Sequence, residues 1–393
     1  MWVIEIILLV YFVYVVAYTF IFSAAAHFYE AHVKKIDVYS KFCVLIPSYK
    51  EDNVILDVAT RALKQNYPSD KYDVVVIADS LKPETVSKLR ELPIIVREVA
   101  FENSTKVKSL NTALALLSDD YDYAVILDAD NVMDVDFLKH MNDAGNSGYK
   151  AIQGQRKPKN QDTTLSFLDG VSEAINNHIY RQGSVALGLS ASINGSGIAF
   201  DYKALKTKLV DMNSIGGFDR ELELKLLLDG IKVHYYPLAI VLDEKTSKSE
   251  VFQNQRKRWI SSQYFYLRKY FKSGISKLFK GDYTFFNSAV LRNIQLPRLV
   301  NIGLLTILTI AFSFIQSYLF LGYLPWLILF ILNTVAILIA IPLEMYSGRL
   351  LRSLFALPGI FFRMFLLLFK LKGANKKFIH TPHSVTSNPE TTQ

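Results

Sequence analysis

Residues 123–130 read Tyr-Ala-Val-Ile-Leu-Asp-Ala-Asp, an apolar run that ends at two aspartates one residue apart. An unbroken apolar run of this length is what a strand buried on both faces requires. Asp128 and Asp130 then fall at or just past its carboxyl end, the edge at which open α/β sheets bind ligands. Two carboxylates spaced i, i+2 can reach one hard cation, and such a cation can hold a diphosphate. A strand running into a solvated acidic turn would look the same, so the flanking sequence decides.

The flanks repeat the pattern. Phe42 to Pro47, Val74 to Ala78 and Ile94 to Val99 are further apolar runs, the second ending at Asp79. Helical stretches separate them: Asn53 to Gln65, Pro83 to Leu92 with proline suited to the first turn, and Lys106 to Leu117. Apolar strands alternating with helices predict a mostly parallel sheet covered on both faces. No GxGxxG follows the first strand and no GxxxxGK[ST] occurs, so neither a dinucleotide fingerprint nor a P-loop is supported. Beyond Asp130, Asp162 to Leu187 is an amphipathic helical stretch, and Gly195-Ser196-Gly197 marks a tight turn or a close backbone approach. Glu221 to Leu228 is a helix closed by Gly230, and Val233 to Val241 another strand. The single cysteine, Cys43, lies in a strand as core filler; it permits no disulfide within the chain and suits a reducing compartment.

The chain is 51% hydrophobic and 20% charged, a combination that predicts a soluble domain joined to membrane segments. Val3 to Ala26 is apolar enough to span a bilayer, which takes about 20 residues. Its start lacks Lys and Arg, whereas Lys34, Lys35 and Lys41 come after it. The positive-inside rule then puts the amino terminus outside and the chain beyond the span in the cytoplasm. This reads as an uncleaved anchor, although Ser23-Ala-Ala-Ala26 offers the small residues a cleaved signal would need. Val300 to Leu321 and Leu324 to Leu343 predict a transmembrane hairpin. Leu350 to Leu371 carries Arg352, Arg363 and Lys370, which favours an interfacial or re-entrant helix. Gln255 to Lys280 is basic, free of acids and rich in aromatic residues. Beside apolar spans, and in a chain of net charge +8, it reads as a helix on an anionic inner leaflet rather than a nucleic-acid binder.

One ordered set of residues runs through this framework: Asp79; Lys106; Asp128 and Asp130; Gly216-Gly217-Phe218-Asp219; and Gln255-Arg256-Lys257-Arg258-Trp259. The set resembles the membrane-bound, processive members of glycosyltransferase family 2, such as cellulose, hyaluronan, chitin and poly-N-acetylglucosamine synthases. Their pattern is D, then DxD, then (E)D, then Q(Q/R)xRW. The match covers residues 41 to 262. The opening Ile-Pro-Ser-Tyr-Lys-Glu has Lys50 where the family usually has Asn, and Phe218 replaces the Glu of its ED pair.

The resemblance implies a GT-A (Rossmann-like) α/β domain in the cytoplasm, with a mostly parallel sheet, plus transmembrane and interfacial helices. It implies that Asp79 and Lys106 lie against the nucleotide, and that Asp128 and Asp130 hold Mg2+ or Mn2+ on the diphosphate of a UDP-sugar. Asp219 would be the general base, with Glu221 as the runner-up, and Gln255, Arg258 and Trp259 would line the donor and acceptor. Without the resemblance, a lone lysine at a helix start is a solvated side chain, and an Arg-Lys-Arg-Trp cluster a headgroup anchor. Thr381, in Phe378-Ile-His-Thr-Pro-His383, would be a gating contact over the nucleotide.

The expected layout is an anchor over 1–28, a GT-A domain over 40–262, interfacial helices over 263–297, a transmembrane hairpin over 298–345, an interfacial or gating segment over 346–383, and a disordered tail over 384–393. The expected activity is inverting transfer from a UDP-sugar to a hydroxyl of a growing polysaccharide or oligosaccharide. With about three spans, a homo-oligomer or an export partner would be needed to complete a polymer channel. A transferase acting on a lipid carrier, or an inactive nucleotide-binding scaffold, are the alternatives.

Overall fold

The computed structural model describes residues 2–371 except Asn213 and Ile215. The chain opens with helix α1 (Trp2–Ala26) and then builds an eight-stranded sheet. The first half alternates as the periodicity predicts: β1 (Phe42–Tyr49), α2 (Ile55–Ala62), β2 (Tyr72–Asp79), α3 (Pro83–Arg90), β3 (Ile95–Val99), α4 (Lys106–Leu116) and β4 (Tyr123–Ile126). Then come β5 (Val132–Met133), α5 (Phe137–Asn146), β6 (Ala151–Pro158), α6 (Thr164–Asn176), α7 (Ser184–Ala186), β7 (Ile198–Asp201), α8 (Tyr202–Val210), α9 (Phe218–Leu228) and β8 (His234–Asp243). The sheet order is β3-β2-β1-β4-β7-β6-β8-β5. The pairs β3/β2, β2/β1, β1/β4 and β6/β8 are parallel; β4/β7, β7/β6 and β8/β5 are antiparallel.

Period-two alternation explains how the sheet is buried. Phe42, Val44 and Ile46 of β1 pack with α2 and α5, while Cys43 and Leu45 pack with α4, α8 and α9. Both faces are covered, so the strands have no polar face to show. Cys43 is fully buried, as core filler should be. Strand β7, absent from the sequence reading, is only four residues long and comes directly after the Gly195-Ser196-Gly197 turn. It runs antiparallel beside β4 and so brings that turn against the carboxyl end of β4. Gly197 has φ 61°, and its N–H donates to the Ile126 carbonyl at 2.9 Å.

After the sheet the chain is helical: α10 (Ser249–Phe279), α11 (Tyr283–Phe286), α12 (Arg292–Ile294), α13 (Arg298–Phe314), α14 (Leu324–Ile339), α15 (Gly348–Leu354) and α16 (Leu357–Leu368). Helix α1 is by itself long and apolar enough to cross a membrane. Two bent pairs qualify only if each counts as one span: 283–294 with α13, bent by 55°, and α15 with α16, bent by 49°. The expected hairpin helices are shorter than their apolar runs, 17 residues in α13 and 16 in α14. Glu5 accounts for part of the break. Its buried carboxylate accepts from the N–H groups of Phe320 (2.7 Å) and Leu321 (3.4 Å), which offers that backbone a partner outside a helix.

Helix α1 docks against α14 and against a π-helical segment, Asn177–Gly183, that continues α6. Gly183 makes this contact close: a Cβ there would lie 2.1 Å from the Phe22 carbonyl oxygen of α1. Gly183→Ala is therefore expected to overpack the joint and destabilise the chain by about 1–3 kcal/mol. This would be read as a lower thermal midpoint in detergent, and an unchanged midpoint would rule out the contact.

Candidate active site

The parallel strands β2, β1 and β4 end along one edge, and the candidate residues collect there. Asp79 closes β2 and is 1% exposed. Its Oδ1 accepts from the hydroxyls of Ser80 (3.0 Å) and Ser104 (3.1 Å), and its Oδ2 is buried with no partner among the described residues. A buried carboxylate oxygen left open is costly unless a donor from elsewhere meets it. Lys50 and Ser80 flank this end, both with positive φ of 57°.

Lys106 is the first residue of α4, and it joins three elements. Its ammonium donates to the Asp128 carboxylate and to the Gly195 carbonyl (2.8 Å), and lies 4.9 Å from the centre of the Phe218 ring. The loop after β4, the glycine turn and the start of α9 are thereby gathered around one cation. Gly195 has φ 81°, a left-handed conformation that favours glycine, and it packs at ordinary contact distance beside the Phe218 ring and the Asp219 Cβ.

The Asp128-Ala129-Asp130 loop is pinned from behind. The Asp128 N–H donates to the Ser196 hydroxyl at 2.9 Å. With its amide nitrogen turned towards the carboxylates, Asn131 donates to Asp130 (3.1 Å) and Asp243 (3.2 Å) and accepts from Ser196 (2.7 Å). Asp130 is 6% exposed. Among the described residues no group of three acidic, histidine or cysteine side chains forms a closed cage for a metal. Mg2+-class ions are commonly held by one or two carboxylates, with phosphates and water filling the other positions. The donor set of Asp128 and Asp130 fits a cation of that kind.

Asp219 is the second residue of α9, after Gly217 with φ 66°. Burial raises its pKa above the usual aspartate value, against the opposing pull of Arg220 and Lys106. Gln255, Arg258 and Trp259 lie on α10 at i, i+3 and i+4, which puts them on one face. Burial lowers the pKa of Arg258, and Trp259 is 40% exposed. The Arg256 guanidinium stacks on Trp259 at 4.4 Å and pairs with Asp169.

Lys106, Asp128, Asp219, Arg258 and Trp259 all line one cavity of about 600 Å³. Asp79, Asp130 and Gln255 are outside its lining. Glu221 is turned away from it, to Lys269 (2.6 Å) and Tyr266 (3.2 Å) on α10. Thr381 lies outside the described residues.

Sequence reasoning missed the charged residues that support the site. Glu173 is 6% exposed and meets Arg156 (3.2 Å), Arg181 (3.1 Å) and Lys245 (3.9 Å). Burial opposes its ionisation, but these three cations outweigh it and hold Glu173 well below the usual glutamate range. Lys245 in turn pairs with Asp243 (2.6 Å), the partner of Asn131. Glu223 is 1% exposed; it accepts from the Ile193 N–H (3.1 Å) and from Arg292 (2.7 Å). The only sequence signal was a glutamate on the apolar side of its helix.

A family model described as "Glycosyltransferase like family 2" matches residues 40–262. The poly-beta-1,6-N-acetyl-D-glucosamine synthase of Staphylococcus aureus strain MSSA476 is 24% identical over 257 residues, covering 62% of this chain and 60% of that protein. The chain thus spans about 60% of the length of the curated relatives it matches. A mannosyltransferase from Pyrobaculum calidifontis, solved with GDP-Man and Mn2+, has the same fold at TM-score 0.57 and 16% identity, covering 90% of this chain and 94% of that one.

Removing a charge from the Glu223–Arg292 pair leaves a buried guanidinium uncompensated. Glu223→Gln is expected to cost about 3–5 kcal/mol. Asp120→Asn, at a pair with Lys41 on the surface, should leave the thermal midpoint where it is. Equal midpoints for both variants would contradict the buried pairing.

Proposed function

The chain belongs to glycosyltransferase-like family 2, and from that membership we propose that it transfers a sugar from a nucleoside diphosphate donor to a hydroxyl of a growing glycan, with inversion at the anomeric carbon. The observation that carries this reading is the Lys106 junction, which puts Asp128 and Asp219 on the wall of one cavity.

Asp79 takes the base or ribose of the donor through its open Oδ2. Asp128 and Asp130 would hold a Mg2+ or Mn2+ ion, which supplies positive charge to the departing diphosphate. Lys106 and Arg258 add fixed cations on the same wall, preorganised for developing negative charge. Trp259 offers an exposed ring for a sugar face. Asp219 takes the proton of the acceptor hydroxyl as its oxygen attacks from the side opposite the leaving group. A carboxylate whose pKa is raised by burial is better matched to that task near neutrality than an ordinary aspartate.

The donor is a UDP-sugar on the family resemblance; the mannosyltransferase with the same fold was solved with GDP-Man, so both nucleotides belong in a test. Helix α1 anchors the chain with its amino terminus outside and the sheet domain in the cytoplasm, a reading supported by Lys34, Lys35 and Lys41 after the span. Domain limits of 1–28, 40–262, 263–297, 298–345, 346–383 and 384–393 belong to the same reading.

Nucleoside diphosphate release by the purified full chain with Mn2+, over a panel of UDP- and GDP-sugars, tests this directly. One donor should support release, and Asp130→Asn and Asp219→Asn should abolish or depress it, the latter by about 10²–10⁴. Equal release from wild type and both variants would overturn the site. The pH profile gives a second check. Asp219 acts only when ionised, so a raised pKa moves the acid limb of the rate upward, above the usual aspartate value of about 3.9. An acid limb at the ordinary value, or one retained in Asp219→Asn, would exclude it as the base.

A further inference from the structure

The cavity that carries Asp219 does not end in the sheet domain. It continues between the apolar helices, and its wall is of two kinds. Apart from Arg298, helices α13 to α16 and the turn after α14 contribute only apolar side chains, Leu299, Ile302, Ile341, Leu354, Leu357 and Met364 among them, and none is aromatic. The rest of the wall carries eight Lys and Arg side chains against the carboxylates of Asp128, Asp169, Glu173 and Asp219, and it is there that the aromatic rings lie, Trp259 among them.

Several of these cations are already matched: Arg156 and Arg181 by Glu173, and Arg256 by Asp169. Two at the start of the helical half keep donor capacity to spare. Arg292 is paired with Glu223, but its other terminal nitrogen, Nη1, is buried and has no hydrogen-bond partner among the described residues. Arg298 gives its guanidinium only to neutral groups, the Asn176 side chain (3.1 Å) and the Ser172 carbonyl and hydroxyl (both 3.0 Å). Among the described ion pairs it has no carboxylate. Both flank the break Gln295-Leu296-Pro297 between α12 and α13, where the basic wall meets the aliphatic one.

A neutral glycan would leave this arrangement unexplained. Sugar rings bind through hydrogen bonds and aromatic faces, and an aliphatic wall supplies neither. A free anion would meet the cations but not the aliphatic half. An amphiphile meets both, since an uncompensated buried guanidinium calls for an anion and an aliphatic cleft for hydrocarbon. We propose that the acceptor sugar is presented on a lipid phosphate or diphosphate. Its headgroup is held at Arg292 and Arg298, and its chain lies against α13 to α16. The inference rests on the glycosyl-transfer reading for the chemistry at the sugar. There the acceptor hydroxyl oxygen bonds to the donor C1, the C1–O bond to the diphosphate breaks, and the nucleoside diphosphate leaves with that electron pair. The hydroxyl proton passes to Asp219. The lipid phosphate is a handle and is unchanged.

Equilibrium binding of labelled phytanyl phosphate to the full chain in zwitterionic nanodiscs tests this, with phytanol and inorganic phosphate as competitors. Phytanyl phosphate should bind at least about tenfold more tightly than either competitor. Arg298→Gln should weaken it about tenfold, and Arg298→Lys should recover part of the loss. Leu354→Trp, which fills the aliphatic wall without touching the cations, should weaken phytanyl phosphate and leave inorganic phosphate binding unchanged. Phytanol binding as well as phytanyl phosphate would mean simple partition, inorganic phosphate binding as well would mean a free-anion site, and full affinity in both Arg298→Gln and Leu354→Trp would place the lipid elsewhere; each overturns the proposal. No turnover is needed for this readout. Intact nucleotide release without headgroup-dependent lipid binding sinks this inference alone, whereas intact lipid binding without release sinks the transferase reading.

Discussion

Glu173, on α6, is the point at which β6, the π-helical segment and the stretch after β8 constrain one another. A carboxylate this deeply buried is tolerated only because Arg156 of β6, Arg181 of the π-helical segment and Lys245 after β8 surround it. Those three cations come from three separate stretches of chain, so none of those stretches can shift without exposing a charge to a medium that cannot solvate it. The set continues through Asp243 and Asn131 to Asp130, and through Ser196 to the backbone of Asp128. The geometry of the acidic loop is thus fixed from behind by ionic contacts, and from in front by Lys106.

The same logic holds α9 in place. Glu223 ties it to Ile193 before the glycine turn and to Arg292 on the helical side, while Glu221 ties it to α10. Asp219 stands between these anchors, at the amino end of the helix, and takes part in none of the ion pairs among the described residues. A carboxylate that is buried and left without a close counter-ion keeps a raised pKa. Rigid supports on either side and a loosely compensated group between them are what proton transfer at a placed carboxylate requires.

Much of this was legible in the sequence, and the parts that were not have a common cause. Strands β1 to β4 and the helices between them follow from apolar runs and their spacing, and Asp79, Asp128 and Asp130 fall at strand ends as read. The family resemblance singled out Asp219 and the Gln255–Trp259 segment, of which Asp219, Arg258 and Trp259 line the cavity and Gln255 does not. Strand β7 was missed because four residues after a glycine turn carry no period of their own; its antiparallel partner β4 supplies the pattern. Lys106, taken alone, reads as a solvated side chain, and only the fold brings Asp128, Gly195 and Phe218 to it. Arg156, Glu173 and Arg181 are ordinary charged residues in sequence, and their burial depends on one another. The apolar run 300–321 suggested a longer helix than α13, because no sequence rule foresees that Glu5, some 300 positions earlier, offers a carboxylate to the backbone at Phe320.

The proposed transfer is a single displacement at the anomeric carbon, with Asp219 on the acceptor side and the acidic loop on the donor side. The most direct test is the anomeric configuration of the bond the enzyme makes, read by NMR on product formed from an α-linked donor. One displacement with the base and the leaving group on opposite faces gives a β-linkage. An α-linkage would require retention, and would contradict a single displacement.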